Sequence, residues 1–123
     1  MNERRASFIA RQVTRDALRK LPGNLRDEAN ACVIEFALVS ECRAEEPDLD
    51  EDLLGLFEGN SRLDPAPESP QELPRIRLFL DNLWDHADGD VDAFREEIRI
   101  TLLHELGHYL GLNEDQVAAL GLA

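Results

Sequence analysis

The hydrophobic positions of this chain form two helical stripes, one near each end, with short alternating runs between them. From Glu3 to Leu21 the apolar residues Phe8, Ile9, Val13, Ala17, Leu18 and Leu21 recur at helical spacing among arginines and other polar groups. Pro22-Gly23-Asn24 ends that pattern, and Leu25 to Ala29 adds a helical turn before the next segment. The arginines of this stretch read as a solvated face.

From Ala31 to Ser40 the side chains alternate, with Cys32, Ile34, Phe36 and Leu38 on one side and Val33, Glu35, Ala37 and Val39 on the other. This predicts a strand covered mainly on one face. The acidic stretch that follows, from Glu41 to Asp52, reads as a solvated loop. Leu53 to Asn60 is short, apolar and contains Gly55 and Gly59, as a second strand ending in a turn would be. Prolines 65, 67, 70 and 74 rule out helix or central strand between Ser61 and Pro74 and leave a loop. Arg75 to Asp81 predicts a third strand with Ile76, Leu78 and Leu80 on one face, and Asn82 to Asp90 turns the chain. Asp90 or Asp92 then caps a long helix whose apolar stripe, Phe94, Ile98, Leu102 and Leu106, runs to about Leu110. The expected class is α+β: a small mixed sheet of about three strands packed on an N-terminal and a C-terminal helix, in a single domain spanning residues 1–123.

Charge narrows the partners. The formal net charge is −13, so the average field of the protein repels a phosphate backbone, and nucleic acid is not an expected partner. No run approaches the ~20 apolar residues of a membrane span, so a membrane is not expected either. Cys32 and Cys42 do not form a CxxC pair, and the first residues lack an apolar signal core. Reduced thiols in a cytoplasmic protein are the expectation, with both cysteines acting as small packing residues.

The chemistry concentrates in His104-Glu105-Leu106-Gly107-His108. On a helix, residues four apart are separated by about 6 Å along the axis and about 40° around it, so His104 and His108 face one side and can hold one metal ion. This is the HExxH arrangement, in which two histidines bind zinc and the glutamate, here Glu105, is general base toward a water activated by the metal. A catalytic zinc takes three protein ligands, and in the sequence after His108 the carboxylates are Glu114 and Asp115. Gly111 suits a left-handed helix end, and Asn113 with Gln116 three residues on resembles the cap of a short helix through Val117, Ala118 and Leu120. That reversal swings Glu114 toward the metal and makes it the favoured third ligand, with Asp115 and His86 as the alternatives. Tyr109 points about 100° away from His108 and reads as a packing residue.

Taken together, the helix closing on Leu21-Pro22, the run Leu54-Gly55-Leu56-Phe57-Glu58-Gly59 and the end HELGHYLGLNE resemble the small bacterial zincin-like proteins, the minimal zincins. Their pattern, HExxHxxGxx followed by an acidic residue, falls on His104, Glu105, His108, Gly111 and Glu114. The resemblance implies Zn²⁺ on His104, His108 and Glu114, Glu105 as the catalytic residue, and a compact minimal zincin-like α+β domain. Metzincins share the glycine but place a histidine where Glu114 stands and add a methionine turn; the sole methionine here is Met1, so the chain is not a metzincin. The expected activity is hydrolysis of peptide bonds in a peptide or unfolded protein. A non-catalytic metal-binding or interaction domain, or a hydrolase of other amides, would carry the same signature.

Overall fold

The computed structural model describes residues 1–65 and 73–119. Among these residues six helices surround a three-stranded sheet. In chain order the elements are α1 (Glu3–Arg19), α2 (Gly23–Ala29), β1 (Val33–Ala37), α3 (Val39–Glu45), β2 (Gly55–Glu58), β3 (Arg75–Phe79), α4 (Leu80–His86), α5 (Val91–Leu110) and α6 (Glu114–Ala119). The class is α+β and the sheet is mixed, as the patterning predicts. Its order is β1-β3-β2, with β3 parallel to β1 and antiparallel to β2.

The register explains the two faces of the sheet. Ile34 lies beside Ile76, Phe36 beside Leu78, Gly55 beside Leu78 and Phe57 beside Ile76, so these residues share one face. That face meets the core formed with α1 and α5, in which Ile76 and Leu78 are fully buried. The opposite face is charged. There Arg75 pairs with Glu35 at 3.1 Å, and Arg77 pairs with Glu46 and Glu58 at 2.7 Å each.

Helix α5 holds the molecule together. The Asp90 side chain caps it by accepting from the Asp92 N–H, and its stripe Phe94, Ile98, Leu102 and Leu106 is at most 1% exposed. Burial of each such side chain contributes about 1.5–3 kcal/mol. Trp84 of α4 closes the far end by meeting the Phe94 ring edge-on at 5.3 Å.

Two predicted loops contain helices. The end of the expected first strand, Val39 and Ser40, and the start of the acidic stretch are wound into α3, and the end of the expected third strand together with the first part of the expected turn is α4, Leu80–His86. One side chain of α4 accounts for the start of α3. Asp81 accepts hydrogen bonds from the N–H groups of Val39 and Ser40, capping α3 from α4. Such a cap comes from tertiary packing and leaves no local periodicity to read. Of the expected Pro-rich loop, residues 66–72 lie outside the described residues, as does Leu120 of the expected last helix.

Candidate metal centre

The last two turns of α5 carry His104, Glu105 and His108, and the helix survives to Leu110 because its C-terminus is closed in three ways. Gly111 takes a φ of 72°, a left-handed conformation open to glycine because it lacks a Cβ. Leu112 then donates its N–H to Gly107 O at 2.8 Å. From the neighbouring loop, the Arg62 N–H donates to Tyr109 O and its Nε to Leu110 O, both at 2.8 Å. These bonds satisfy carbonyls that a helix end otherwise leaves open.

The turn after Gly111 folds as its residues predict. Asn113 Oδ1 accepts from the Gln116 N–H at 2.8 Å, and Gln116 Oε1 accepts from the Asn113 N–H at 2.9 Å. This reciprocal cap starts α6 at Glu114. Gly107 lets α6 close against α5, since a Cβ there would fall 2.8 Å from Val117 Cγ2.

The donor atoms of His104, Glu105 and His108 lie within 4.8 Å of one another. The two imidazoles are 4.9 Å apart between ring centres and nearly perpendicular, and both side chains are exposed. Glu105 differs. Its side chain is only 12% exposed, and an Oε lies 4.0 Å from His108 Nε2. Burial raises its pKa above the usual carboxylate value, while the nearby His108 and His104 act in the opposite direction. A carboxylate whose pKa is raised by burial is a stronger base than one in open water, which suits it to accept a proton.

His108 stands on a ridge between two hollows. One, of about 410 Å³, contains both histidines, Leu112, Glu114 and Val117. The other contains Glu105 and His108 beneath Leu56 and Phe57 of β2. Gly55 brings β2 this close, because a Cβ there would stand 2.7 Å from Thr101 Cγ2 and 3.4 Å from Glu105 Cγ.

The predicted residues are therefore sorted by position. His104, Glu105 and His108 form the compact donor group, and Glu114 lines the same hollow as the histidines without belonging to that group. Asp115 follows it in the first turn of α6. His86 ends α4, with its Nε2 3.6 Å from Glu97, about 10 Å along α5 from His104. Tyr109 is buried against Phe57, with ring centres 6.0 Å apart, and so packs rather than reacts. Arg62 was not singled out by the sequence; only its isolation in a proline-rich loop that returns to the site sets it apart.

Two imidazoles with a carboxylate beside them are nitrogen and oxygen donors that suit a divalent transition metal. A family model described as zincin-like metallopeptidase matches residues 27–122. The chain belongs to the zincin-like metallopeptidase family. The matched segment runs from α2 past α6 and includes the whole donor group. No individually curated protein matches the sequence. Among the described residues of this zincin-like protein, no helix is long and apolar enough to cross a membrane.

Proposed function

We propose that the protein is a zinc-dependent peptidase that hydrolyses peptide bonds in peptides or unfolded segments of cytoplasmic proteins. The observation that carries this reading is the position of Glu105: a shielded carboxylate with raised pKa, beside two exposed histidines and under strand β2. His104, His108 and Glu114 would hold the zinc, the first two from α5 and the third from the start of α6. When bound, zinc supplies a Lewis acid that polarises a carbonyl and brings the pKa of a water near 7. Glu105 accepts a proton at its carboxylate from the attacking water and returns it to the leaving amine.

Strand β2 supports a peptide as the substrate. It pairs with β3 on one side, and no described residue pairs with its other edge, which borders the hollow containing Glu105. An extended peptide can add to such an edge through backbone hydrogen bonds. The test is Glu105→Gln in zinc-loaded protein with a peptide library. The expected result is full zinc content with cleavage reduced about 10²–10⁴-fold. Unchanged cleavage by the variant would refute the assigned base, and zinc-loaded wild type that cleaves no peptide would point to a metal-binding interaction domain.

A further inference from the structure

Helix α1 presents a surface that the metal centre does not use. Its inner face, with Ala6, Ile9, Ala10, Thr14 and Ala17, is buried. Its outer face carries Arg4, Phe8, Arg11, Arg15 and Arg19, all exposed, at spacings of four, three, four and four. These spacings place the five side chains within about 80° around the helix and along about 22 Å of its length. Arg5 is exposed about 40° beyond that stripe. Asp16 pairs with Arg19 at 3.1 Å, whereas among the described residues Arg4, Arg5, Arg11 and Arg15 make no ion pair. Phe8, in the middle of the stripe, is 54% exposed.

We propose that this face docks an acidic amphipathic helix of a partner protein, with Phe8 seated on its apolar stripe and the arginines paired with its carboxylates. The charges of α1 run against those of the molecule, which is −13 overall, so the attraction is local to this face. A long polyanion laid along the domain would also meet the acidic stretch around α3, with Glu41, Glu45, Asp48 and Asp50. A short partner segment meets the arginines along α1 and only the nearest of those carboxylates, Glu41, which shares a hollow with Glu3 and Ser7 at the N-terminal end of the helix, while screening over about 8 Å weakens the effect of the more distant ones. The stripe holds arginine and no lysine. Arginine and aromatic residues are enriched in protein interfaces where lysine is depleted, and the planar guanidinium grips a carboxylate with two hydrogen bonds. One aromatic anchor ringed by arginines has the anatomy of an interface hot spot. The apolar side of α1 is already buried in the core and is not available to enter a lipid layer.

The probe is a synthetic helical peptide with glutamates on one face and leucines beside them, titrated into the full-length protein at low ionic strength. Amide NMR shifts report where it binds. Its lysine counterpart, phosphatidylserine vesicles and duplex DNA are titrated in parallel. The expected result is binding of the acidic helix alone, with shifts centred on α1 and not on His104 or His108. The affinity should fall roughly tenfold or more in Arg11→Glu/Arg15→Glu, whose exposed positions leave the core intact. Phe8→Ser should weaken binding at every salt concentration, while charge reversal should matter less as salt rises. No binding of the acidic helix, equal binding by the charge-reversed protein, or preference for vesicles or DNA would each overturn the proposal.

Discussion

Arg62 Nε donates to the carbonyl of Leu110 at 2.8 Å, joining a surface loop to the end of the helix that carries His104, Glu105 and His108. With its own backbone N–H bonded to Tyr109 O, Arg62 fixes the last turn of α5 two residues beyond His108. Arg62→Ala removes the side-chain bond and keeps the backbone one. A loss of about 1–3 kcal/mol in urea unfolding is expected, together with weaker zinc binding in a competition titration. Wild-type values for both would show that Gly111 and Leu112 suffice to close the helix.

The assignment of the third ligand separates two adjacent residues. Glu114 lines the hollow with both histidines, and its neighbour Asp115 is not among the residues lining it. Glu114→Ala is expected to lower zinc affinity about 10-fold or more, while Asp115→Ala changes it little. Equilibrium dialysis against a calibrated chelator measures both. The reverse order would move the ligand to Asp115.

Acid should release the charged face of the sheet. The hydrogen bond from Arg77 holds the Glu46 carboxyl below its ordinary value near 4.5, against a smaller opposing effect of desolvation. A carboxyl lowered by folding contributes stability above its unfolded pKa and loses it as pH falls through the folded one. The thermal melting difference between wild type and Glu46→Gln should therefore persist near neutrality, begin to shrink near the ordinary value of 4.5 and vanish only below the lowered value of the folded state. Melting curves across acid pH measure this, and a constant difference would contradict the linkage.

The two cysteines should react at different rates. Cys32 is buried and its thiol is pushed up to about 12, chiefly by burial, so little thiolate forms at mildly alkaline pH. Cys42 is only half-buried, on α3. A thiol reagent should label Cys42 in the native protein and Cys32 only on unfolding. Cys42→Ser should remove the fast phase of labelling, and fast labelling of that variant would contradict the expectation.

Periodicity revealed those parts of the fold whose causes are local. The stripe from Phe94 to Leu106, the alternation of Ile76 with Leu78, the Gly111 reversal and the Asn113–Gln116 cap each depend on residues within a few positions of one another. The sheet order, with the last strand in the middle, could not be read because nothing local to β3 says that it lies between β1 and β2. Helix α3 was hidden because its cap is Asp81, far along the chain, and Arg62 because its acceptors belong to α5. The histidines and Glu105 were legible from a five-residue motif, but the shelter of Glu105 was not, since it depends on β2 crossing α5 at Gly55.

The proposed donor set, from His104 to Glu114, comes from one uninterrupted stretch of chain that bends once, at Gly111. Bringing these groups together closes only a short loop and sacrifices little chain entropy. The parallel pairing of Val33 with Arg75 spans a much longer stretch. The donor residues are therefore brought together by local contacts, while the sheet carries the long-range closures that slow folding.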